Sequence, residues 1–454
     1  MVRFLYNIGF NIFFAVSAPF YLLKMWRRGN WQAGFGERFA RYNSKFKQAI
    51  TNRDVIWLHA VSVGEVNICT QLIRALEPRA PNLKVVVSTT TSTGMAELQK
   101  KLPSHISKIY YPIDSRRYVR RALRMISPEA VVLVEAEIWP NFLWRVADLG
   151  IPSFLVNARL SEKSYRGYRR WSFLFRRVFR SFTGIGCQND HDAKRLEAIG
   201  CRPERIHVVG NLKFDAAKLD EKRLLDVPLL FGQLGVVAGA PVLVAGSTHA
   251  GEERILGEIF KRLRQRFPTL FLVVVPRHFE RGKEAGRDLE AAGVKFVYRN
   301  EITPAMQWAT GEVEALLVNT TGELRYFYEH ASIVFVGKSL TAEGGQNPIE
   351  PGALARPIVF GPNMQNFEMI ARLLVERGGA LQVRNPADLE RALGEILAEP
   401  QRAQRLGENA LAVVKENLGA IERTVEMIVS ALPDPRYVVA KKAGRDASTP
   451  RVSS

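Results

Sequence analysis

Residues 55–68 read VIWLHAVSVGEVNI, and this stretch decides the fold class. Its first six residues are apolar apart from His59, which is typical of a strand covered on both faces of a sheet. A turn follows at residues 62–64, and the pattern then changes to a helical period that opens with Glu65. The stretch therefore predicts a carboxylate at the carboxyl edge of a sheet, where open α/β folds bind their ligands.

Glu65 is the candidate catalytic residue. The helix dipole favours its ionised form at a helix N-terminus, and an ionised carboxylate at a sheet edge can act as a general base. The alternative is a Glu that only begins a helix.

The alternation of apolar runs and helical patterns continues along the chain and predicts parallel, doubly wound sheets. At 454 residues, two domains are expected. A charged stretch at 213–237 breaks the rhythm and marks the join. We predict an α/β architecture of two Rossmann-like domains facing a cleft, at 29–225 and 226–433. The apolar runs lie at 55–60, 85–89, 130–135, 153–156, 184–187, 206–209, 242–245, 270–275, 295–298, 315–318, 333–336, 357–360 and 380–383.

Residues 1–28 are predicted to be an N-terminal membrane anchor. Residues 4–23 carry no charge and would just cross a hydrocarbon core of about 30 Å as a helix. Lys24, Arg27 and Arg28 follow, which places the rest of the chain in the cytoplasm. Asn7 and Pro19 weaken a single-pass span, so an in-plane interfacial helix is the alternative. The polar tail at 434–454 is predicted to be disordered.

The net charge of +19 predicts a polyanionic partner. Basic residues alternate with aromatic ones over residues 159–180. This mixture suits an anionic membrane surface, and it would also suit single-stranded nucleic acid. The apolar N-terminal segment favours the membrane, and the alternative is a solvated helix whose aromatic face belongs to the core.

The sequence lacks the usual cofactor motifs. The three cysteines form no CxxC pair, and the histidines have no ligand-like spacing. A metal ion would be sought first at Asp190-His191-Asp192, although these acids also suit a helix start. No Gly-x-Gly-x-x-Gly or P-loop motif follows the apolar runs, which disfavours a dehydrogenase or a nucleoside triphosphatase. We expect neither a metal nor another cofactor.

Four polar loops in the second half suit a phosphorylated ligand, because helix N-termini and hydroxyls bind anions and Arg pairs with phosphate. Glu350, in the last loop, could accept hydrogen bonds from a ribose diol. Ser247 and Thr248 could instead be helix caps. The candidate ligand-binding residues are Ser247, Thr248, Arg277, His278, Gly322, Glu323, Asn347 and Glu350.

Five ordered motifs resemble the Kdo transferases of Gram-negative bacteria, which transfer 3-deoxy-D-manno-octulosonic acid (Kdo) from its CMP ester to a lipid A precursor. The resemblance extends from about residue 4 to residue 432 and includes the anchor and the GFGER element at 34–38. The motifs are HAVSVGE (59–65), EAEIWPN (135–141), NARLS (157–161), GNLKFD (210–215) and GGQNPIEP (344–351).

This resemblance implies a metal-independent GT-B glycosyltransferase at the cytoplasmic face of the inner membrane. The N-terminal domain would bind the acceptor, lipid IVA, and the C-terminal domain would bind CMP-Kdo. Glu65 would be the general base of an inverting transfer. No nucleic acid and no obligate protein partner are implied.

Six further residues receive roles on the same basis. Glu135 and Glu137 would orient the acceptor or support Glu65, and Arg159 is a candidate ion-pair partner for them. Lys213 would stabilise the departing phosphate or bind the Kdo carboxylate. Glu37 and Arg38 would contact lipid or pair with each other.

Two alternatives stay open. A UDP-sugar-dependent GT-B enzyme of envelope synthesis would have the same architecture, and competition between CMP and UDP would separate the two. A membrane-tethered nucleic-acid-binding protein predicts salt-dependent binding and no effect of Glu65→Ala.

Overall fold

The computed structural model describes residues 2–27, 34–135, 137–217 and 225–432. The chain divides into two compact units, one formed by Met1–Ala216 with Gly419–Ser454 and the other by Ala217–Leu418. Each unit contains a seven-stranded parallel sheet. The predicted α/β class with two doubly wound sheets is confirmed.

The sheet of the first unit has the order β3-β2-β1-β4-β5-β6-β7. Its central strands are buried on both faces, which explains their nearly continuous apolar runs. The strands are β1 (Val55–His59), β2 (Lys84–Thr89), β3 (Ser107–Tyr110), β4 (Pro128–Val134), β5 (Ser153–Ala158), β6 (Gly184–Cys187) and β7 (Ile206–Val208). The helices are α1 (Val2–Arg27), α2 (Ser44–Ile50), α3 (Val63–Leu76), α4 (Ser92–Lys101), α5 (Arg116–Ile126), α6 (Pro140–Asp148), α7 (Glu162–Arg170), α8 (Ser172–Phe179) and α9 (Asp190–Ala198).

The sheet of the second unit has the order β10-β11-β9-β8-β12-β13-β14. Its strands are β8 (Val242–Thr248), β9 (Phe271–Pro276), β10 (Phe296–Tyr298), β11 (Ala315–Leu317), β12 (Ile333–Val336), β13 (Ile358–Phe360) and β14 (Ala380–Gln382). Its helices are α10 (Val227–Gln233), α11 (Glu252–Arg266), α12 (Gly282–Ala291), α13 (Leu324–Tyr328), α14 (Ile349–Ala353), α15 (Glu368–Glu376), α16 (Pro386–Ala398) and α17 (Pro400–Asn417).

The chain returns to the first unit at its end, so the second unit stops at Leu418 and not at the expected residue 433. Helix α18 (Ala420–Val429) shares a buried apolar cluster with α3, in which Ile421 and Val425 lie with Leu72. The Asp215 carboxylate accepts hydrogen bonds from the backbone N–H groups of Gly419 (2.7 Å) and Ile421 (2.6 Å). The predicted tail at 434–454 and residues 218–224 of the predicted join lie outside the described residues.

The strand pattern of the sequence has one omission. Strand β3 was not predicted, because Ser-Lys-Ile-Tyr is short and begins with polar residues. It is an edge strand that pairs only with β2 among the described strands.

Helix α1 contacts the first unit through its opening turns. The Arg3 guanidinium donates two hydrogen bonds to Asp148, at 2.7 and 2.9 Å. The Tyr6 hydroxyl donates to Asp114 (2.8 Å), and the side-chain amides of Asn7 and Asn141 bond to each other. None of the helices in the described ranges combines the length and the apolar character needed to cross a membrane.

The aromatic residues of 159–180 are divided between the core and the surface. Phe179 is buried, and Tyr165, Tyr168 and Phe175 pack partly buried against or within the same core. Trp171 and Phe173 are 51% and 57% exposed. The predicted basic aromatic face is therefore reduced to two aromatic side chains, while the flanking Arg166, Arg169, Arg170, Arg176 and Arg177 are exposed.

Glu37 and Arg38 attach the 3-10 helix Phe35–Phe39 to β3. The Glu37 carboxylate accepts from the Tyr110 N–H (2.9 Å). The Arg38 guanidinium lies 4.2 Å from the centre of the Tyr110 ring and donates to the Thr90 carbonyl (2.7 Å). These two residues thus hold the edge of the sheet.

Candidate active site

Glu65 lies where the sequence predicts, in the first turn of α3 just after β1. Ser62 is the N-cap of this helix, and its hydroxyl accepts a hydrogen bond from the Glu65 N–H (3.2 Å). The Glu65 carboxylate accepts from the Val61 N–H (2.8 Å) and from the Ser62 hydroxyl (2.8 Å). The arrangement differs from a capping box in that the Glu65 carboxylate accepts from the N–H of Val61, the residue before the N-cap, and not from that of Ser62. The two bonds fix the orientation of the carboxylate.

The pKa of Glu65 is raised to about 7, first by burial and further by the charges of Glu135 and Glu137. Hydrogen bonds from Val61 and Ser62 oppose this rise. A carboxylate that titrates near neutral pH is suited to general base catalysis. Glu65 is 8% exposed, so it is desolvated but still reaches the surface of the unit.

Glu135 and Asn157 stand at the carboxyl ends of the neighbouring strands β4 and β5, with positive φ angles of 60° and 53°. Such left-handed conformations are uncommon for residues other than Gly and are enriched at functional sites. The Asn157 side-chain amide donates to the Glu135 carboxylate (3.3 Å). Asn157 has no exposed surface.

Glu137 follows on the same loop. Its carboxylate accepts from the Trp139 indole N–H (2.8 Å). Burial raises the pKa of Glu137, and the bond from Trp139 opposes this effect.

Lys213, predicted among the donor-binding residues, lies in the first unit with the acidic cluster. Burial lowers the pKa of Lys213, whereas the charges of Glu135 and Glu65 raise it. The Arg159 guanidinium is exposed and lowers the pKa of Lys213. Arg159 was predicted to pair with Glu135 or Glu137. In the structure Glu135 accepts a hydrogen bond from the Asn157 amide. The charge of Arg159 instead lowers the pKa values of Lys213 and Asp192.

The second unit has its polar residues at the carboxyl ends of β8, β9 and β12. Ser247 and Lys338 have positive φ angles of 55° and 54°, as Glu135 and Asn157 do in the first unit. Ser247 is partly exposed. Lys338 is not among the predicted residues, because a single Lys after a strand carries no sequence signal.

Thr248, predicted to contact a ligand, is not exposed and has a structural role. It is the last residue of β8 and is fully buried. Its hydroxyl donates to the Glu253 carboxylate (2.8 Å), which also pairs with Arg281 (2.8 Å). The helix cap is Gly251, so neither Ser247 nor Thr248 caps α11.

Glu252 is a second structural residue that the sequence did not single out. It is fully buried, and its carboxylate accepts four backbone hydrogen bonds of 2.7–2.9 Å, from His249, Lys338, Ser339 and Leu340. This carboxylate joins the start of α11 to the loop after β12.

Glu350 and Asn347 form the centre of the candidate donor site. The Asn347 amide donates to the Glu350 carboxylate (3.0 Å). Burial raises the pKa of Glu350, while the Asn347 bond and the charges of Arg325 and Arg277 lower it. Arg277 is exposed and Arg325 is partly exposed, so two cations lie near this carboxylate. Arg325 was not predicted because it lies inside α13, after the loop that the sequence highlighted.

The glycines of this loop are required by its geometry. Gly344 and Gly345 have φ angles of 124° and 68° and are buried. A Cβ on Gly345 would lie 2.9 Å from the Asn363 carbonyl oxygen.

The remaining predicted residues lie in other loops of the second unit. Gly322 has a φ angle of 85° and precedes α13. The Glu323 carboxylate accepts a hydrogen bond from the Thr320 hydroxyl (2.6 Å) and forms an ion pair with Arg299 (3.2 Å). His278 is exposed at the start of the 3-10 helix Phe279–Arg281.

Among the described residues, no group of three or more His, Cys, Asp or Glu side chains could hold a metal ion. Within the Asp190-His191-Asp192 triplet, both acids lie in the first turn of α9, whose N-cap is Asn189. The Asp192 carboxylate accepts a hydrogen bond from the Leu160 N–H (3.1 Å).

Comparison with known proteins identifies the family. Residues 33–216 match the family model described as 3-Deoxy-D-manno-octulosonic-acid transferase (kdotransferase). A 3-deoxy-D-manno-octulosonic acid transferase of Bordetella pertussis is 32% identical over 430 residues, which are 90% of this chain and 96% of that protein. One from Haemophilus influenzae is 31% identical over 376 residues, 82% of this chain and 86% of its own.

Solved structures agree on the fold alone. A UDP-GlcNAc 2-epimerase from Neisseria meningitidis has a TM-score of 0.55 at 13% identity and covers 83% of this chain and 100% of its own. A glycosyltransferase from Rickettsia africae has a TM-score of 0.53 at 13% identity and covers 84% and 99%. The fold, with two seven-stranded parallel sheets, is thus of the GT-B type. The 32% identity along nearly the whole chain settles its family, and the protein belongs to the 3-deoxy-D-manno-octulosonic acid (Kdo) transferases, glycosyltransferases of lipopolysaccharide biosynthesis.

Proposed function

We propose that the protein transfers Kdo from CMP-Kdo to lipid IVA, the phosphorylated lipid A precursor, with Glu65 as the general base. The observation that carries this proposal is the Glu65 carboxylate, which is oriented by Val61 and Ser62 and has a pKa of about 7. Near neutral pH such a group is ionised in a large fraction of molecules and remains basic enough to accept a proton.

In the proposed reaction, an acceptor hydroxyl oxygen bonds to the anomeric carbon of Kdo. The bond between that carbon and the CMP phosphate oxygen breaks, and the electron pair leaves with CMP. The hydroxyl proton passes to Glu65, which later releases it to solvent. Direct displacement at this carbon inverts the anomeric configuration. The scheme assigns no step to a metal ion.

Lys213 is proposed to bind the Kdo carboxylate. Its ammonium group is mostly buried and is influenced by Glu135 and Glu65, so it lies close to the proposed base. A fixed cation at this position would orient the sugar and hold its negative charge. Glu135 and Glu137 would orient the acceptor.

The second unit is proposed to bind the CMP portion. Glu350, held by Asn347, would accept hydrogen bonds from the ribose, and Arg277 would neutralise the phosphate that leaves with CMP. Ser247 and the backbone near Gly322 and Lys338 would contribute polar groups. The UDP-sugar alternative requires UDP to compete with CMP at this site.

The proposed location is the cytoplasmic face of the inner membrane, with α1 lying along the interface. Arg3, Tyr6 and Asn7 attach the first two turns of α1 to the protein. Beyond these turns, Ile12, Phe13, Val16 and Phe20 are 60–77% exposed. A helix with its apolar side outward, packed beside α8 with its exposed Arg176 and Arg177, is suited to an anionic lipid surface.

The direct test is mass spectrometry of lipid IVA after incubation with the protein and freshly generated CMP-Kdo. We expect a product heavier by one or more Kdo units, and the mass also gives the number transferred. A parallel reaction with UDP-sugars should leave the acceptor unchanged. An unchanged acceptor with CMP-Kdo, when a known transferase is active in the same mixture, would contradict the proposal.

A further inference from the structure

Asn157 uses each polar group of its side chain in the first unit. It is fully buried at the carboxyl end of β5 and has a φ angle of 53°. Its Nδ2 donates to Glu135 Oε1 (3.3 Å), and its Oδ1 accepts from the backbone N–H of Leu212 (3.1 Å). One side chain thus joins the loop after β4 to the loop that carries Lys213.

The bond to Leu212 is part of a closed circuit of amides. The Gln188 amide donates to the Asn157 carbonyl (3.3 Å), and Asn211 Nδ2 donates to Gln188 Oε1 (3.1 Å). Asn211 Oδ1 in turn accepts from the Lys213 N–H (3.0 Å). The circuit fixes the backbone on both sides of Leu212 and therefore the origin of the Lys213 side chain.

Several charged groups interact where this circuit meets Glu135. The carboxylates of Glu135 and Glu137 act on Glu65, and those of Glu135 and Glu65 act on Lys213, as does the Arg159 guanidinium. The relative placement of Glu135 and Lys213 therefore affects the group proposed to take the proton. Small displacements of such groups are costly, because a misplacement of about 1 Å can reduce a rate by about 10².

We propose that Asn157 is a positioning residue for Kdo transfer, which holds the Glu135 carboxylate and the Lys213 loop in one fixed arrangement around the Glu65 base. The proposal rests on the function proposed above for Glu65. Asn is suited to this position because it tolerates a left-handed backbone and supplies both a donor and an acceptor. A residue that only filled space in β5 would need neither group.

The decisive variant is Asn157→Asp, which keeps the acceptor for Leu212 and the backbone conformation but replaces the donor with an oxygen. A carboxylate then faces Glu135, within the cluster that also contains Glu65, Glu137, Lys213 and Arg159. An added negative charge raises the pKa of a neighbouring carboxyl group. The rise of kcat/KM with pH, which reports the deprotonation of the base, should move upward by about one pH unit. We expect kcat at pH 7 to fall by about tenfold or more.

Two matched variants accompany it. Gln188→Ala opens the circuit but leaves the bond from Asn157 to Glu135 intact. It should reduce kcat several-fold without moving the pH profile. Asn157→Gly accepts the positive φ angle without strain and introduces no charge. It should lower kcat by about tenfold with the profile in its original place, and it provides the test even if Asn157→Asp fails to fold.

Melting temperatures verify that each variant is folded. A displaced profile for Asn157→Asp together with an unmoved one for Gln188→Ala supports the proposal. A wild-type kcat in folded Asn157→Gly, which has neither the donor nor the acceptor, overturns it. Glu65→Gln measured in parallel separates the two proposals. If that variant keeps wild-type turnover, the proposed base is wrong, whereas loss of turnover in Glu65→Gln with unaffected Asn157 variants refutes only the role of Asn157.

Discussion

Ser62 and Glu65 exchange hydrogen bonds in both directions, since the Ser62 hydroxyl accepts from the Glu65 N–H (3.2 Å) and donates to the Glu65 carboxylate (2.8 Å). The same contacts that begin α3 also orient the proposed base. The two interpretations of Glu65 from the sequence, as a helix-start residue or as a catalytic one, are therefore compatible. The helix start supplies the rigidity that a general base needs.

Glu65→Ala should reduce kcat by about 10² or more, because the acceptor hydroxyl loses its proton acceptor. CMP affinity should not change, since the residues proposed to bind the CMP portion belong to the second unit. Kdo transfer and CMP binding by calorimetry are measured on the same preparation. Ser62→Ala keeps the carboxylate and should lose less activity, and Glu77→Gln, a change at the other end of α3, should leave it unaltered. Wild-type turnover in Glu65→Ala would refute the assignment.

The pH dependence of activity should follow the raised pKa of Glu65. The base acts in its deprotonated form, so kcat/KM should rise with pH and level off above about pH 7. A Glu with its ordinary pKa would give this limb near pH 4.5. A profile that is flat from pH 5 to pH 8 would contradict the assignment.

The same shift has a consequence for stability. Because burial raises the folded-state pKa of Glu65 to about 7, the folded state keeps a proton that the unfolded state loses near pH 4.5. The free energy of unfolding therefore decreases as the pH rises from about 4.5 to about 7, by about 3 kcal/mol at most. Glu65→Gln removes the titration, so its melting temperature should fall less between pH 5 and pH 8 than that of the wild type. Parallel curves for the two proteins would contradict the raised pKa.

Much of the fold can be predicted from the sequence because a strand buried on both faces must be apolar throughout. The central strand β1 is fully buried and has this pattern, whereas the edge strand β3 begins with Ser107 and Lys108 and lacks it. The return of α18 to the first unit also escapes sequence analysis. The two hydrogen bonds that Asp215 accepts from the start of α18 join residues about 200 positions apart, and no local sequence pattern indicates such a contact.

In the candidate site, too, some residues can be predicted from the sequence and others cannot. Glu65 and Glu350 are recognisable because each stands at a predicted turn between a strand and a helix. Thr248 stands at such a turn too, but a neighbouring helix supplies Glu253 as its partner, so its hydroxyl is used by the scaffold. The role of Asn157 cannot be predicted in this way, because it depends on loops that meet only in the folded chain.

Glu350→Ala should weaken CMP binding by about tenfold or more, because a ribose would lose a charged hydrogen-bond acceptor. Asn347→Ala should have a smaller effect in the same direction, since it frees the carboxylate without removing it. Glu343→Ala changes an exposed Glu on the same loop and should be neutral. The measurement is CMP titration, with UDP as the competitor. Unchanged CMP affinity in Glu350→Ala would remove the ribose role, and tighter binding of UDP would favour the UDP-sugar alternative.

Asp215→Ala should loosen α18. The buried carboxylate caps the start of this helix through two backbone bonds, and loss of such a cap costs about 1–2 kcal/mol. Backbone amide hydrogen exchange should accelerate over residues 419–429, and kcat should fall modestly because α18 packs on α3, which carries Glu65. Asp226→Ala removes a comparable cap from α10 and should leave α18 protected. Unchanged exchange in α18 would show that the apolar packing with Leu72 suffices.

Phe13→Asp should weaken binding to vesicles of phosphatidylethanolamine and phosphatidylglycerol by about tenfold or more, because a charge replaces an apolar group in the lipid interface. The position is chosen for its 60% exposure, well beyond the turns that Arg3 and Tyr6 attach to the protein. The control is Leu229→Asp, at an apolar residue 65% exposed on the second unit, and it should bind as the wild type does.

Trp171→Ala is expected to have a smaller effect in flotation assays. Because arginines flank Trp171, the wild type should also bind less well at high salt or to phosphatidylcholine alone. Equal flotation of Phe13→Asp and the wild type would place the lipid contact elsewhere.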